Sequence, residues 1–328
     1  MKFLIAGFGS IGRRHFRNLL ALGERDIVLY RTHQSTLPDD EIAGFPVETD
    51  LRAALAYGPD AVIISNPTSL HLDVAIPAAQ CGCSLLIEKP LSHSLARIEE
   101  LQQAVVENDV KVLVGYQFRF HPGIQRIRKW LNHEAIGEPL SIRAHWGEYL
   151  PGWHPWEDYK QGYSARAELG GGSVLTLSHP LDYSHWFFGD IESLRAFTNQ
   201  RGLHLPVEDE AEILLQFKSG VLGSVHVDYN QRPATHWLEI MGTRGSLRWD
   251  NSDGIARMRQ VDRDGTVGEW QESSPQPGFE RNTMFLDELR HFRDVVKGKA
   301  EPICSLNDGL VALQLALAAL KKYIIRLP

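Results

Sequence analysis

The chain has 328 residues, of which 43% are hydrophobic and 23% are charged, and its net charge is −7 at pH 7. This composition is that of a globular protein and excludes a disordered chain, and the acidic balance argues against a duplex DNA or polyanion partner. Because 328 residues exceed the size at which a single core usually keeps growing, two domains are expected.

The cysteines and the apolar runs bear on the compartment. Three cysteines form no disulfide pattern, so reduced thiols are the simplest interpretation. Cys81 and Cys83 make a lone C-x-C without a second ligand pair; they are interpreted as packing residues, and no metal is predicted. The stretch before the first glycine motif is too short for a signal peptide, and no apolar run approaches membrane-spanning length. The sequence therefore predicts a cytoplasmic protein that binds neither nucleic acid nor a membrane.

A strand, a glycine turn and a helix are predicted at the start of the chain. Phe3 to Ala6 is typical of a buried strand, and Arg13 to Leu22 has a helical pattern that ends at Gly23. Between them lies a G-x-G-x-x-G turn, whose glycines permit a tight bend, close approach of a pyrophosphate and close helix–strand packing. A dinucleotide is expected at this helix N-terminus. The residues expected to contact it are Gly7, Gly9, Ser10, Ile11 and Gly12.

The end of the second predicted strand, Asp26 to Tyr30, bears on the choice of cofactor. Enzymes that use NAD place a carboxylate there to bind the ribose, whereas this chain has Arg31 and Thr32. A guanidinium pairs with a 2′-phosphate and a threonine hydroxyl can hydrogen-bond it, so NADP is favoured over NAD. The alternative is that Arg31 stacks on adenine or faces solvent, which leaves both cofactors usable.

Helix and strand patterns alternate up to residue 115. The predicted elements are helix 51–57, strand 61–65, helix 69–81, strand 85–88, helix 95–108 capped by Ser94, and strand 110–115. Such alternation predicts right-handed crossovers and a parallel sheet covered by helices on both faces. The fold class is α/β, and residues 1–120 are predicted to form a Rossmann dinucleotide-binding domain.

The run Leu85 to Pro90 ends a predicted strand in a carboxylate, a lysine and a proline. Ligands of open parallel sheets lie beyond the carboxyl ends of the strands, so Lys89 is expected to face a substrate hydroxyl or the cofactor there. The alternative is a solvated lysine in an ordinary turn, because most lysines are surface residues. Other residues near this edge are also expected to contact the cofactor: Asn66, Pro67, Thr68, His71, Glu88 and Gln117.

Residues 121–328 are predicted to form an α+β domain for substrate binding and oligomerisation, with a large, mostly antiparallel open sheet. Its predicted strands are 140–149, 194–198, 210–218, 223–229, 236–241 and 245–249, and its predicted helices are 123–132, 173–188, 283–296 and 306–325. Residues 250–276 are expected to be irregular, and helix 306–325 is a candidate to pack back on the first domain. A sheet of this extent favours a homodimer or homotetramer.

A loop rich in aromatic residues and histidine follows the first of these strands. Exposed rings hold flat, polar-edged ligands such as sugars, since a ring face covers C–H groups while polar rims bind hydroxyls. The alternative is a satellite core beneath a long loop. The candidates to bind substrate hydroxyls or a carboxylate are Arg119, Trp153, His154, Tyr159, Tyr163 and Arg166.

Gly170-Gly171-Gly172 opens the predicted helix 173–188, which carries a histidine and an aspartate three residues apart, His179 and Asp182. A carboxylate that orients an imidazole and stabilises its charged form is the arrangement that proton transfer requires. Thr176 precedes His179 on the same predicted face. The alternative is a satisfied buried histidine without a catalytic role.

In order along the chain, Gly7-x-Gly9-x-x-Gly12, Glu88-Lys89-Pro90, residues 115–122 and residues 170–182 resemble the Gfo/Idh/MocA oxidoreductases, the group of glucose–fructose oxidoreductase and inositol dehydrogenase. The resemblance covers essentially the whole chain. It implies an NAD(P)-dependent dehydrogenase or reductase that acts on a hydroxyl or ketone carbon of sugars, cyclitols or nucleotide-linked sugars.

The resemblance also implies roles for two residues. Lys89 is expected to contact both cofactor and substrate, and His179 is expected to exchange the hydroxyl proton. One position departs from the family pattern: the aspartate four residues before the histidine is Leu175 here. The nearest polar side chain, Thr176, cannot act as a carboxylate.

Two other functions stay open from the sequence. The first is a same-fold enzyme with transient redox chemistry and a recycled cofactor, such as an epimerase or a glycosidase-like enzyme; it converts substrate without net change in nicotinamide absorbance. The second is a non-catalytic protein that senses NAD(P). The presence of Lys89 and His179 and the lack of a DNA-binding appendage count against the sensor.

Overall fold

The computed structural model describes residues 1–32 and 40–321. The chain divides into two compact units: residues 1–117 together with 280–313, and residues 118–279 together with 314–321. The sequence analysis assigned residues 280–313 to the second domain, whereas the structure places them in the first unit. Within the described ranges, no helix has both the length and the apolar character that crossing a bilayer requires.

Six parallel strands of the described residues make up the sheet of the first unit: β1 (Phe3–Ala6), β2 (Ile27–Tyr30), β3 (Val47–Glu48), β4 (Ala61–Ile64), β5 (Ser84–Glu88) and β6 (Val112–Gly115). Their order is β3-β2-β1-β4-β5-β6, which is that of a Rossmann sheet and confirms the predicted fold class. The residues of β1 and β4 are fully buried, as expected of parallel strands covered on both faces. β3 was not predicted, because two residues carry no readable alternation.

The helices of this part of the chain are α1 (Ser10–Ala21), α2 (Leu51–Leu55), α3 (His71–Gln80) and α4 (Ile98–Glu107). The predicted start of α4 after a Ser94 cap was wrong. Arg97 has φ +64°, a left-handed conformation that a right-handed helix excludes, so the helix begins at Ile98.

Three further helices are α5 (Pro122–Asn132), α6 (Ser173–Thr176) and α7 (His179–Phe188). The single helix predicted over residues 173–188 was therefore wrong, since Leu177 and Ser178 interrupt it. Pro180 lies in the first turn of α7 and has no amide hydrogen to donate to the preceding turn. A new helix with this proline in its first turn leaves no carbonyl unsatisfied, whereas a continuous helix over 173–188 would.

Eight strands of the described residues form the sheet of the second unit: β7 (Pro139–Gly147), β8 (Ile191–Asn199), β9 (Glu210–Phe217), β10 (Leu222–Asp228), β11 (Thr235–Gly242), β12 (Gly245–Asp250), β13 (Ala256–Gln260) and β14 (Gln271–Ser273). Neighbouring strands are antiparallel except for β7 and β10, which are parallel. A large, mostly antiparallel sheet was predicted and is confirmed. The prediction that residues 250–276 are irregular was wrong, because the arginine-rich β13 and short β14 at the sheet edge lack an apolar pattern.

The two faces of this sheet differ in burial. Ile142, Ala144 and Trp146 of β7 are buried on the face against which α6 and α7 pack. The opposite face exposes large apolar side chains that share it by the strand register. These are Phe197, Leu214, Leu222 and Met241, which are 74%, 58%, 58% and 49% exposed.

The last two described helices are α8 (Arg281–Val296) and α9 (Leu306–Ala319). α8 packs on α1 within the first unit, where Asn18 and Asn282 exchange side-chain hydrogen bonds. Gly309 of α9 faces the Val114 side chain in the same unit so closely that a Cβ at Gly309 would clash. These contacts explain why residues 280–313 join the first unit. The predicted helix 306–325 extends at its end into residues 322–325, which lie outside the described residues.

Candidate functional site

The glycine turn of the first unit has the geometry that its sequence predicts. Gly7 has φ +89°, and a Cβ there would collide with the backbone nitrogen of Asn66. A Cβ at Gly12 would collide with the carbonyl oxygen of Gly7. At Gly9, by contrast, a Cβ would meet nothing within 4 Å among the described residues. Two glycines therefore close the turn, and the third leaves open space in front of the helix.

The N-terminus of α1 lies at this open position. Gly9 is the residue that caps the helix, and as a glycine it has no side chain to accept a hydrogen bond from the first-turn N–H groups. The first-turn N–H groups at Ser10 and Ile11 therefore point to a place that an anion can occupy. Ser65 holds the turn, because its hydroxyl donates to the Gly7 carbonyl at 3.0 Å. The turn fits the pyrophosphate of a dinucleotide.

Two guanidinium groups flank Phe8, the side chain between the first two glycines. The guanidinium carbon of Arg13 is 4.5 Å from the ring centroid and that of Arg31 is 5.8 Å from it. Arg31 is 5% exposed and donates its backbone N–H to the carbonyl of Glu48, so it does not project freely into solvent. The neighbouring Thr32 is exposed.

A carboxylate lies close to the first of these cations. Glu41 accepts hydrogen bonds from Arg13 at 2.6 Å and from Arg17 at 2.7 Å. Partial burial raises the pKa of Glu41, but the hydrogen bonds of the two arginines outweigh it and leave that pKa below its usual value. Glu41 stays ionised and neutralises part of the positive charge at this end of α1.

The strand register brings the other predicted cofactor residues to one edge. Ala6 lies opposite Ile64, Ile64 opposite Ile87, and Ile87 opposite Val114, so the carboxyl ends of β1, β4, β5 and β6 are adjacent. The predicted residues that follow these ends are Asn66, Pro67, Thr68, Lys89 and Gln117. Lys89 is half-buried, whereas Thr68 and Gln117 are almost fully buried.

His71, predicted as a cofactor contact, holds one of the loops at this edge. Its Nε2 lies 3.0 Å from the Asn66 carbonyl, and its Nδ1 lies 3.4 Å from the Leu91 carbonyl. The residue is 1% exposed, and burial lowers its pKa, so the imidazole is neutral at pH 7 and has one N–H to donate. Donated from Nε2 at the shorter distance, this N–H holds the loop after β4.

Glu88, also predicted to contact the cofactor, turns into the unit. Its carboxylate lies 2.7 Å from Nε2 of His15, and the residue is 8% exposed. Burial raises the pKa of Glu88, but the His15 hydrogen bond and the charges of His15 and Lys89 outweigh it and lower that pKa. An ionised Glu88 thus lies directly before Lys89. His15, one turn into α1 after the last motif glycine, was not among the predicted residues.

In the second unit, His179 is the first residue of α7 and is 0% exposed. Its ring lies edge-on to Phe118 at 4.9 Å between centroids and tilted against Trp146 at 5.3 Å. Aromatic rings therefore form much of the environment of this histidine.

Asp182 shares α7 with His179, but its carboxylate is held by Arg119. The guanidinium donates from Nη2 to Asp182 at 2.7 Å and from Nε at 3.1 Å and 3.2 Å. Arg119 and Asp182 are each 1% exposed. Arg119 is thus a buried partner of Asp182 in the core of this unit, whereas the sequence placed it among the substrate ligands and Asp182 beside the histidine.

Thr176 and the triple-glycine segment lie against a buried tyrosine and a buried carboxyl. The Thr176 hydroxyl hydrogen-bonds Tyr229, whose own hydroxyl donates to the Gly172 carbonyl at 2.8 Å. Glu208 accepts from the N–H of Val174 at 3.0 Å, and burial raises the pKa of Glu208 to about 7. Tyr229 and Glu208 were missed, because no local motif marks residues that reach the segment from distant positions in the chain.

The aromatic loop combines packing with exposure. Trp153 lies edge-on to Tyr229 at 5.7 Å, so part of the loop covers the core. Trp156 is 69% exposed and Tyr163 is 37% exposed, while Tyr159 and His154 are half-buried. Arg166 donates to Glu168 at 2.8 Å near the surface. Both interpretations of the loop therefore find support in different residues.

Two groups of the described residues have metal-ligand chemistry, namely His145 with His226 and Asp228, and His15 with Glu88 and Glu288. In the first group both ring nitrogens of His226 bond carboxylates, Glu212 at 2.7 Å and Asp228 at 3.0 Å. The Asp228 hydrogen bond is the largest cause that raises the pKa of His226 to about 9. A protonated imidazole is a poor metal ligand, so this group is better described as an ion-pair cluster.

Comparisons with known proteins match both units. Residues 1–116 match the oxidoreductase family with an NAD-binding Rossmann fold, and residues 124–248 match the GFO/IDH/MocA C-terminal domain. The chain is 26% identical to myo-inositol 2-dehydrogenase of Thermotoga maritima over 98% of this chain and 96% of that one. It is 31% identical to an uncharacterized oxidoreductase of Synechocystis, in a match that spans 57% of this chain and 53% of that one.

Among solved structures, levoglucosan dehydrogenase in complex with NADH and L-sorbose is similar to this chain with a TM-score of 0.84. The superposition covers 98% of this chain and 95% of that one, at 20% sequence identity. The likeness extends through both sheets and shows a shared fold.

Proposed function

Because this chain belongs to the GFO/IDH/MocA oxidoreductase family, we propose that it oxidises or reduces a hydroxyl or ketone carbon of a sugar-like substrate with a nicotinamide cofactor. The observation that carries this proposal is the edge of the first sheet. There the open glycine turn and Lys89 follow strand ends that the register holds in a row. A helix N-terminus for phosphates and a lysine for the reacting oxygen are thus provided by one rigid sheet.

The residues that would hold the cofactor are those of the turn and the strand ends. The N–H groups after Gly9 would bind the pyrophosphate, and residues 66–68 would line the path toward Lys89. A bound nicotinamide would supply hydride transfer to or from the substrate carbon. His71 fixes the loop that carries Asn66, because its ring hydrogen-bonds that residue's carbonyl. The chain's own contribution is to place the bound groups and the charges around them.

Lys89 and His179 are the residues proposed to act on the reacting oxygen. The ammonium of Lys89 stabilises negative charge that develops on this oxygen, and the ionised Glu88 before it favours the charged ammonium. His179 takes the hydroxyl proton during oxidation and returns it during reduction. An imidazole is the side chain suited to this exchange, because its unperturbed pKa lies near neutral pH.

The proposed substrate is a polyol with several hydroxyl groups, such as a sugar, a cyclitol or a nucleotide-linked sugar. The exposed rings of Trp156 and Tyr163 support it, because aromatic faces cover the C–H groups of such molecules. The relatives named for myo-inositol and levoglucosan are consistent with this class.

The replacement Lys89→Met tests the proposal. Loss of the ammonium is expected to reduce turnover by about two to four powers of ten, the usual range for such a charge. Lys111→Met is the matched control, since this lysine lies in the same unit with a 45% exposed side chain. A decrease below about tenfold in folded Lys89→Met would remove Lys89 from the chemistry.

For the cofactor, we propose a preference for NADP over NAD. The support is the pair of guanidinium groups around Phe8, together with the lack of a carboxylate at the end of β2 in Tyr30-Arg31-Thr32. A 2′-phosphate carries negative charge that these cations would stabilise. Titration with NADPH and with NADH, followed by tryptophan fluorescence, measures the preference directly.

We further propose that the protein acts in the cytoplasm as a homodimer or homotetramer joined through the second sheet. The four apolar side chains on its open face are the support, because such an exposed group is typical of an interface. The double replacement Phe197→Asp and Leu214→Asp is expected to give a monomer in light-scattering measurements. An unchanged mass would contradict this mode of assembly.

A further inference from the structure

A cluster of buried ionisable groups lies just inside the edge of the first sheet that carries Glu88-Lys89-Pro90, called here the E-K-P edge. It consists of His15 on α1, Glu88 at the end of β5 and Glu288 on α8, and one nitrogen or oxygen of each lies within 4.8 Å of the others. His15 and Glu288 are 0% exposed, and Glu88 is 8% exposed. Because these groups are removed from bulk water, their charges must be balanced by neighbouring groups.

Glu288 is the carboxyl of this cluster that no hydrogen bond satisfies. Nε2 of His15 and the Glu88 carboxylate satisfy each other through their 2.7 Å contact, while Nδ1 of His15 has no partner among the described residues. Both carboxyl oxygens of Glu288 are buried and have no hydrogen-bond partner within the described part of the chain. An ionised Glu288 would lack a compensating donor and would repel Glu88, and both costs disappear when it is protonated.

The surroundings of Glu288 act in the same direction. Burial and the negative charge of Glu88 raise the pKa of Glu288 well above its usual value. The other titratable or charged groups around the cluster are Arg14 on α1, His71 on α3, Lys89 after β5 and Arg281 on α8. The cations among them shift the pKa of Glu88 or of Arg14, whereas the charge that shifts the pKa of Glu288 is that of Glu88.

We propose that Glu288 is a positioning residue that stays protonated at neutral pH and offers its O–H to Glu88, directly or through one bridging water. The separation of these groups, within 4.8 Å, suits a water bridge. The donor keeps Glu88 ionised and fixed, and the Glu88 charge in turn favours the ammonium of Lys89. The catalytic part of this inference rests on the proposed function, whereas the protonation of Glu288 does not.

The protonation state is tested without any enzymatic activity. The infrared spectrum of the wild-type chain at pH 7 is expected to contain the C=O stretch of a buried carboxylic acid. This band should be absent in Glu288→Gln and present in Asp287→Asn. The latter is a control, because Asp287 is the preceding residue of α8 and its side chain is 41% exposed. A wild-type spectrum without the band would overturn the proposal.

Elemental analysis of the same three preparations tests a competing occupant. A divalent cation would also neutralise the cluster, but it would require an ionised Glu288. Substoichiometric metal in all three preparations is the expected result. One equivalent of a divalent metal in the wild type and in Asp287→Asn, lost in Glu288→Gln, would overturn the proposal in favour of a cation site.

Turnover tests the positioning role. Glu288→Gln keeps the shape and an N–H donor, so kcat and KM are expected within about twofold of the wild type. Glu288→Leu removes the donor, and Glu88 is then expected to take up a proton at higher pH. The acid limb of the kcat/KM profile should move upward in Glu288→Leu and stay in place in Glu288→Gln. Equal profiles in folded Glu288→Leu and wild type would overturn the positioning role, even with the infrared band present.

Discussion

The two units bury their polar groups in different ways. Near the E-K-P edge of the first unit, buried groups connect separate elements, as His71 on α3 does with the Asn66 carbonyl and His15 on α1 does with Glu88. In the second unit, the buried charges of Arg119 and Asp182 pair off, and His179 lies among aromatic rings.

The difference corresponds to the two chemical tasks of the proposed function. Phosphates and a developing negative charge require fixed N–H groups and a cation, which the first unit would provide on a rigid edge. A proton-exchanging imidazole requires a ring that is held in place, and Phe118 and Trp146 pack against the ring of His179. In that function the first unit supplies charge, and the second supplies an imidazole in an apolar setting.

The largest effect is expected when this histidine is removed. His179→Asn should lower kcat by about two to four powers of ten, because a general acid–base catalyst is lost. The control His133→Asn removes an exposed histidine of the same unit and should leave kcat unchanged. If His179→Asn retains wild-type turnover, His179 only packs against the aromatic rings, and the difference between the units has no role in catalysis.

The next largest effect concerns the ion pair beside it. Asp182→Asn should lower the free energy of unfolding by about 3–5 kcal/mol, because it leaves the Arg119 guanidinium buried without a counter-charge. The double replacement Arg119→Met with Asp182→Leu should recover most of this loss. Urea unfolding of the three chains measures it, and a cost below about 1 kcal/mol for Asp182→Asn would show that the pair is exposed to water in solution.

A pH-dependent effect of similar kind is expected at Glu208. Its pKa is about 7 in the folded chain against a usual 4.5, so the folded state binds a proton more tightly than the unfolded state. Stability should therefore fall as the pH rises from about 4.5 to about 7, by about 3 kcal/mol in total. Glu208→Gln lacks this dependence, and its stability relative to the wild type should increase over that window. A pH-independent difference would contradict the burial of this carboxyl.

The smallest effect is expected for cofactor choice in the first unit. Arg31→Gln should weaken NADPH binding about 10- to 150-fold, because one charged hydrogen bond of about 1.5–3 kcal/mol is lost, and it should leave NADH binding unchanged. Arg25→Gln on the exposed loop before β2 is the control. Equal losses for NADPH and NADH would assign Arg31 to stacking on adenine or to packing.

The same contrast explains how much could be predicted from the sequence. Residues close in the chain form the glycine turn, the helix after it and the segment with Lys89. Their spacing in the sequence is therefore enough to predict their geometry. The Rossmann strands follow from continuous apolar runs. The role of Glu288 could not be predicted, since α8 returns to the first unit after a separation of more than 190 residues from Glu88.

In the second unit, contacts between residues far apart in the chain determine more of the candidate site. The H-x-x-D spacing correctly places His179 and Asp182 on one helix, yet nothing local shows that Arg119 takes the carboxylate. Tyr229, which follows β10, and Glu208, which precedes β9, likewise reach the triple-glycine segment from distant parts of the chain. Strand β13, next to the edge strand β14, escaped prediction because its arginines alternate with only two apolar residues.

The most direct test of the central claim follows nicotinamide absorbance while the protein is supplied with NADP or NAD and a panel of sugars and cyclitols. The account predicts that at least one substrate gives a stoichiometric absorbance change, and that Lys89→Met slows this change about 100-fold or more while Lys111→Met does not. Substrate conversion without a net absorbance change, or tight cofactor binding without any conversion, would contradict it.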